Sequence, residues 1–203
     1  SERDSKIYTG FSKPVTREIY QDALAHDTLP SLLNAEHPEP GDTFFTPAGR
    51  IHAIGGGVVL AEIQQTSDIT YRIYDWGRKD DQGNHRELHT DLALDAIDYN
   101  ASGKTGIRKD LKKNHPENLV KCEFFEVNAI SFDKPVERDY TELDSFVIYI
   151  CTEGGFRIKW DGNTENVSKG ETILIPAVIT NVILESDSAA ETLEIYINNP
   201  KND

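Results

Sequence analysis

The chain contains no methionine and only two cysteines, Cys122 and Cys151, among its 203 residues. These two do not form a CxxC pair, which argues against a disulfide framework and against a zinc site built from thiolates. The sequence also has no run of about 18 apolar residues, the length that spans a bilayer. Its first ten residues lack the apolar stretch of a signal peptide. We therefore expect a globular, cytoplasmic protein.

Basic residues are scarce as well. Lys and Arg together number 21 against 35 Asp and Glu, so the formal net charge is -14. A surface of this sign repels nucleic acid and anionic membranes, and neither is expected as a partner. A substrate that carries phosphate would need a local basic cluster. Arg78, Lys79 and Arg86 are candidates for such a cluster, although a solvated loop explains them equally well.

Helical patterns are few. The segment from Lys13 to Asn34 has apolar residues, including Ile19, at helical spacing, with Thr16 as its N-cap and Pro30 as a break. A second, short amphipathic helix is predicted from His89 to Asp98.

Short β-branched and aromatic runs bounded by glycine and proline occupy much of the remaining chain. They predict a mainly β fold of barrels or jelly rolls, in two blocks separated by a polar linker. The predicted strands are Thr43 to Phe45, Val58 to Gln64 and Ile69 to Tyr74 in the first block, and Lys121 to Val127, Ser145 to Cys151, Phe156 to Trp160, Thr172 to Ile175, Asn181 to Leu184 and Thr192 to Ile197 in the second.

An internal repeat relates the two blocks. Gly41 to Ala48 reads GDTFFTPA and Gly170 to Ala177 reads GETILIPA, 129 residues later. Each copy has a glycine, an acidic residue, an apolar strand and then a proline. His52 in the first copy corresponds to Asn181 in the second. If a metal site depends on this histidine, only the first module is expected to hold metal.

The first copy extends into a longer motif. Gly41 to His52 reads GDTFFTPAGRIH, and its spacing matches the second cupin motif: Gly, five residues, Pro, one residue, Gly, two residues, His. Gly41 permits a tight turn, and Pro47 and Gly49 bend the chain between two strands. His52 can then project into a barrel mouth. A lone histidine in a barrel is more often structural, but this motif favours a metal ligand.

The sequence beyond the motif resembles the signature region of type I mannose-6-phosphate isomerases, which are also called phosphomannose isomerases. The resemblance is strongest from Gly41 to Leu88 and includes PAG with IHAIG, EIQQ, TYR with YDW, and REL. It implies a double cupin of two jelly-roll modules with short helical insertions. Residues 1–99 are then part of the catalytic cupin module with a helical insertion, 100–119 a linker, and 120–203 a degenerate C-terminal cupin module.

The resemblance also implies a reaction and site residues. The family interconverts mannose 6-phosphate and fructose 6-phosphate by zinc-assisted proton transfer through an enediolate. His52 falls at a zinc ligand, and Arg72 and Glu62 fall at catalytic positions. The alternatives drawn from the residues alone are an ion pair of Arg72 with Asp68 or Asp75, and a solvent-facing Glu62.

One departure from the family pattern concerns the metal. The family's other zinc ligands are a Gln-x-His pair and a glutamate upstream, and no Gln-x-His occurs in this chain. The remaining histidines are scattered, and we expect surface or structural roles for them: His26, His37, His85, His89 and His115.

We therefore expect an incomplete and inactive portion of such an isomerase, with a hexose phosphate as substrate. One zinc is expected per full-length chain, its remaining ligands lying before Ser1. The alternative is a non-catalytic cupin that binds a sugar or regulates another protein.

Overall fold

The computed structural model describes residues 2, 4–67 and 69–198 of the chain. It is mainly β, with fourteen strands and few helices in the described part. The chain divides into two compact units, residues 1–108 and 109–203. None of the helices among the described residues is long and apolar enough to cross a membrane.

The second unit consists of two antiparallel sheets. One is four-stranded in the order β11-β10-β13-β8, and the other is five-stranded in the order β12-β9-β14-β7-β6. Their inner faces share one hydrophobic core. The strands are β6 (His115–Lys121), β7 (Glu126–Phe132), β8 (Val136–Asp139), β9 (Val147–Glu153), β10 (Gly155–Trp160), β11 (Asn163–Ser168), β12 (Thr172–Ile175), β13 (Asn181–Glu185) and β14 (Ala190–Tyr196).

Alternation of side chains along these strands builds the core. In β9, Val147, Tyr149 and Cys151 are buried, while the intervening residues are only partly covered. In β13, Val182 and Leu184 are buried in the same way. Because successive residues of a strand point to opposite faces, each strand contributes every second side chain to the space between the sheets.

The first unit contains smaller elements. Its strands form one sheet in the order β2-β1-β4 and a second, two-stranded sheet of β3 and β5. Its aromatic core includes Phe11, which stacks on Tyr99 at 6.1 Å and meets Tyr20 edge-on at 6.4 Å. The elements are β1 (Ile7–Phe11), α1 (Arg17–Ala25), a 3₁₀ helix (Leu29–Leu32), β2 (Leu33–Glu36), β3 (Thr43–Phe44), β4 (His52–Ile54), α2 (Thr90–Ala93) and β5 (Gly106–Ile107).

Several predicted elements of the first unit differ in the structure. Thr16 is the N-cap of α1 as predicted, and its hydroxyl accepts from the Ile19 N–H at 3.3 Å. However, the helix is shorter than predicted, and Ile19 is exposed. The segments 58–64 and 69–74, both fully described, contain no strand. Val59 and Ile69 in these segments are exposed, and no strand in the described chain pairs with them.

The segment predicted as a linker, residues 100–119, contains strands. β5 pairs with β3, and β6 pairs with β7. The division between the two units lies inside this segment, after Arg108. Glu36 anchors the first part, because its carboxylate accepts from the Thr105 N–H at 2.7 Å and the Gly106 N–H at 3.1 Å. A polar sequence is thus tied down by long-range hydrogen bonds.

The second unit also departs from the predicted strands in places. The predicted strand from Lys121 to Val127 is interrupted by a turn between β6 and β7, in which the Cys122 N–H donates to the Phe125 carbonyl at 3.0 Å. The sequence does not predict β8 and β11, because their many polar residues obscure the alternation of apolar and polar side chains that is typical of a strand. β12 agrees with its predicted bounds, and β9, β10, β13 and β14 agree within one or two residues.

The internal repeat is present as a repeated turn. Gly41 and Gly170 both have a φ of +87°. Asp42 Oδ2 accepts from the backbone N–H three residues before it at 2.8 Å, and Glu171 Oε2 does the same at 2.7 Å. β3 and β12 both begin two residues after the glycine, and β4 and β13 begin 129 residues apart. The two copies therefore share a local structure as well as a sequence pattern.

Candidate functional site

His52 is the first residue of β4, and its side chain is exposed. Its Nδ1 lies 3.1 Å from the Arg50 carbonyl oxygen. A carbonyl oxygen only accepts, so this contact places a proton on Nδ1 and leaves the Nε2 lone pair available. Metal-binding histidines are commonly oriented by such a bond from the second ring nitrogen. The contact with the Arg50 carbonyl thus orients the ring of His52.

The backbone conformation and surroundings of Gly49 explain why the motif has a glycine at this position. It has a φ of +83°, a conformation that favours glycine. A Cβ at this position would lie 2.5 Å from the Ala96 carbonyl oxygen. The Asp98 N–H donates to the Gly49 carbonyl at 2.8 Å. The close approach of these two segments sets the path of the chain into β4 and thus the position of His52.

No group of three or more His, Cys, Asp or Glu side chains within residues 2, 4–67 and 69–198 is arranged to hold a metal ion. The other histidines make local contacts: His26 with Asp22, His37 with the Ser5 carbonyl, His85 opposite Lys79 in a β-bridge, His89 with the Arg72 N–H, and His115 with Glu117.

Two hydrogen bonds with His89 hold the main chain of Arg72 in place. Its N–H donates to His89 Nδ1 at 3.2 Å, and the His89 N–H donates to the Arg72 carbonyl at 2.7 Å. The guanidinium donates to the Glu87 carbonyl at 3.3 Å. The alternative of an ion pair with Asp75 is not observed, and Asp68 lies outside the described residues. Among the described residues, the Glu87 carbonyl is the one acceptor of the guanidinium.

Glu62 lies in an exposed segment without regular secondary structure. The strand predicted from Val58 to Gln64, which includes Glu62, does not form. Within the described chain, no hydrogen bond or ion pair joins any two of Glu62, Arg72 and His52. The three residues predicted from the sequence are therefore not linked by direct polar contacts in this structure.

The structure gives Asp75, considered from the sequence only as a partner of Arg72, a different role. Its side chain is 8% exposed, and its Oδ1 lies 3.1 Å from Arg78 Nη2 and 3.7 Å from Arg86 Nη1. Arg78 and Arg86 belong to the basic cluster considered from the sequence, and Asp75 brings them together. In the sequence, Asp75 precedes Arg78 by three positions but Arg86 by eleven, so local spacing did not indicate this role.

Arg78 also contacts an aromatic ring. Its guanidinium carbon lies 5.7 Å from the centre of the Trp76 ring, within the range of a cation–π interaction. Trp76 meets Tyr74 edge-on at 5.1 Å and lies 5.8 Å from Tyr8. Tyr74 donates a hydrogen bond to Asp27, which raises the pKa of Tyr74.

Arg78 lines two clefts in the first unit. One, of about 270 Å³, is bordered by Tyr8, Trp76 and the backbone of Gly55 and Gly56. The other, of about 260 Å³, contains Asp75, Arg86, His85 and Tyr74. Each is large enough for a small polar ligand. Arg78 gives the first cleft a positive charge, whereas in the second Asp27 and Asp75 balance the charges of Arg78 and Arg86.

Comparisons with known proteins identify the family. A profile of the mannose-6-phosphate isomerase cupin domain matches residues 115–192. Mannose-6-phosphate isomerase ManA of Bacillus subtilis is 28% identical over 177 residues, covering 86% of this chain and 55% of that protein. Mannose-6-phosphate isomerase of Streptococcus mutans is 30% identical over 188 residues, covering 92% and 58%. The chain belongs to the type I mannose-6-phosphate isomerase family.

A solved structure of this family has the same fold. The mannose 6-phosphate isomerase of Bacillus subtilis matches with a TM-score of 0.78 at 25% identity, over 96% of this chain and 61% of that one. The predicted mainly β cupin fold is confirmed. The chain spans little more than half the length of the curated relatives described above. Although the family resemblance in the sequence is strongest from Gly41 to Leu88, the family profile matches the second unit.

Proposed function

We propose that this chain supplies part of the active site of an aldose–ketose isomerase that interconverts mannose 6-phosphate and fructose 6-phosphate. The observation that carries the proposal is Arg72, which belongs to the family's signature region and whose guanidinium has one acceptor among the described residues, the Glu87 carbonyl. Family membership supports the reaction, and the exposed arginines near Arg72 in sequence support a phosphorylated substrate.

Arg72 suits the stabilisation of an enediolate. Isomerisation removes a proton from the carbon beside a carbonyl and leaves negative charge on the oxygens. Arginine keeps its positive charge and can donate two parallel hydrogen bonds to such an oxyanion. The paired backbone hydrogen bonds with His89 hold its main chain in place, so little rearrangement is needed as charge develops. We propose Glu62 as a candidate proton acceptor in the same reaction.

Arg78 and Arg86 are proposed to bind the phosphate group. Both side chains are more than half exposed. Two guanidinium groups next to each other match the geometry of a phosphate. A chain of net charge -14 repels an anionic substrate. The positive charge of these two arginines is local and can attract the phosphate group despite that repulsion.

We propose zinc as the metal, with His52 as one ligand. A catalytic zinc generally has three protein ligands and one open position. The described residues supply His52 but no three-ligand group, so they do not by themselves form a complete zinc site. The proposed site needs ligands that these residues do not supply. A bound zinc would act as a Lewis acid on the sugar oxygens.

The incomplete ligand set is also the observation that favours a second candidate, a non-catalytic cupin that binds a sugar or regulates another protein. The two candidates differ in turnover. The natural-length protein that carries this sequence should convert mannose 6-phosphate to fructose 6-phosphate if the isomerase proposal is correct. Binding of the sugar without turnover would support the second candidate.

Replacement of Arg72 tests the role of the guanidinium. Arg72→Ala leaves both backbone contacts with His89 in place, so we expect the fold and zinc content to be unchanged while kcat falls by about 10² to 10³. Arg72→Lys keeps the positive charge but loses the two parallel donors of the guanidinium. Its kcat should therefore lie between those of the parent protein and Arg72→Ala. Arg17→Ala, which removes an exposed arginine paired with Asp95, is the matched control. Normal turnover by Arg72→Ala would contradict the assignment.

A further inference from the structure

The carboxylate of Asp75 is buried beneath two exposed arginines. We infer that Asp75 is a positioning residue that holds Arg78 and Arg86 in the arrangement that binds the substrate phosphate, an inference that rests on the proposed function. Because both arginines approach the same oxygen, Asp75 Oδ1, their nearest nitrogens lie no farther apart than the sum of the 3.1 and 3.7 Å contacts. Without a shared anion, two guanidinium groups at this separation would repel each other.

The exposed fractions of the three side chains show which of them face the solvent. Asp75 is 8% exposed, whereas the side chains of Arg78 and Arg86 are 63% and 52% exposed. The carboxylate therefore lies on the protein side, and the remaining guanidinium N–H groups are accessible from solvent. An anion can approach these donors without displacing Asp75.

The chain around Asp75 constrains Arg78 further. The Arg78 N–H donates to the Asp75 carbonyl at 3.0 Å, and its Nε donates to the same oxygen at 3.3 Å. Trp76 between them has a φ of +51° and Gly77 a φ of +64°. Left-handed backbone is unfavourable for a side chain as large as tryptophan. The turn places the Trp76 ring against the Arg78 guanidinium, so Arg78 is held by the carboxylate, the carbonyl and the ring.

The second carboxylate oxygen of Asp75 has no hydrogen-bond partner among the described residues. A buried carboxylate with an unpaired oxygen destabilises a fold. A carboxylate that served only stability would be expected to have both oxygens hydrogen-bonded. The arrangement instead satisfies the arginines, which is consistent with a role in orienting them.

The direction in which Asp75→Asn changes phosphate affinity shows whether Asp75 positions the arginines or only balances their charge. Asp75→Asn removes a negative charge beside the arginines. If Asp75 acted only as a counter-ion, the variant would attract phosphate more strongly. If Asp75 positions the arginines, phosphate binding should weaken, because each guanidinium is free to move to other rotamers and the two donors no longer converge.

The test measures inorganic phosphate binding by calorimetry and steady-state kinetics with mannose 6-phosphate, in the natural-length protein. We expect Asp75→Asn to weaken phosphate binding and to raise KM, each by about tenfold, with kcat changed less than about twofold, because the loss is in ground-state and transition-state binding alike. Asp81→Asn makes the same charge change at an exposed residue of the same loop, and it should bind phosphate like the parent protein.

Several results would overturn the inference: tighter or unchanged phosphate binding by Asp75→Asn, or an equal loss in Asp81→Asn. If Asp75→Asn does not fold, Asp75→Glu keeps the charge and displaces it by one methylene, and parental phosphate affinity in that variant would also refute positioning. Phosphate binding is measured without turnover. A parent protein that binds phosphate through Asp75 but does not isomerise the sugar would overturn the proposed function and leave the positioning role standing.

Discussion

Glu194 in β14 offers the sharpest test of what stabilises the second unit. Its side chain is 0% exposed, and Arg138 donates to it twice, from Nε at 2.7 Å and from Nη2 at 3.0 Å. Asn128 donates at 2.9 Å and Tyr149 at 3.1 Å, and the Tyr140 hydroxyl donates as well. A single carboxylate thus compensates the buried guanidinium and satisfies three other polar groups inside the core.

Arg138 cannot relieve the loss of this partner by giving up its proton. In the parent chain, burial lowers the pKa of Arg138, but the hydrogen bonds and charge of Glu194 outweigh it and raise the pKa. Without the carboxylate of Glu194 the guanidinium still keeps its proton, because arginine is too strong a base to lose it in a protein. The Arg138 side chain is only 21% exposed. Glu194→Gln therefore leaves a partly buried cation without its counter-ion, and breaking a buried pair in this way costs about 3 to 5 kcal/mol of unfolding free energy.

The measurement is urea denaturation of the chain combined with native-state hydrogen exchange of the β7 and β14 amides, which report on the second unit alone. Glu185→Gln is the matched control. Glu185 pairs with Arg157 and Lys159 in a more exposed position of the same unit, so Glu185→Gln should lower the unfolding free energy much less than Glu194→Gln does. The double variant Arg138→Met with Glu194→Gln removes the cation and keeps an amide oxygen as acceptor for the other three groups, so it should recover part of the stability lost by Glu194→Gln alone. A loss below about 1 kcal/mol for Glu194→Gln would refute the reasoning.

Two further predictions concern the first unit. The natural-length protein should contain about one zinc per chain, which His52→Ala removes and His26→Ala does not; unchanged zinc in His52→Ala would end the assignment of His52 as a ligand. Burial raises the pKa of Glu36, but hydrogen bonds from Thr105, Gly106 and Asn34 more than offset this and lower it below its ordinary value. Its contribution to stability is therefore fully present above the unfolded-state pKa and is lost as pH falls through the lower folded-state pKa. In acid titrations followed by circular dichroism, Glu36→Gln should lose part of this pH dependence while Glu87→Gln keeps it, and identical profiles for Glu36→Gln and the parent chain would contradict the prediction.

Local patterns in the sequence predicted those features that local physics controls. The glycine of each repeated turn, the acidic side chain that accepts the N–H three residues earlier, and the strand that follows all lie within about a dozen residues. Thr16 likewise caps a helix that begins at the next residue. Conformational preference and short-range hydrogen bonds decide such features before the rest of the chain is in place.

Predictions that depended on a distant partner were less successful. The segments 58–64 and 69–74 have the composition of strands, but a strand needs a neighbour for its backbone hydrogen bonds, and none pairs with them in the described chain. Conversely, polar residues after position 100 form strands because Glu36 and β7 are available to them.

By itself, the sequence determined the family, the mainly β fold, the internal repeat and the motif that places His52 at the start of a strand. Only the tertiary structure decided that Asp75 joins Arg78 to Arg86, that Glu194 lies beneath Arg138, and that Arg72 is interlocked with His89. The physical reason is separation along the chain: Glu194 and Arg138 are 56 residues apart, and Arg72 and His89 are 17 apart. A burial pattern or motif spacing specifies what one segment can do, whereas the partner of a charge is set by which segments the fold brings together.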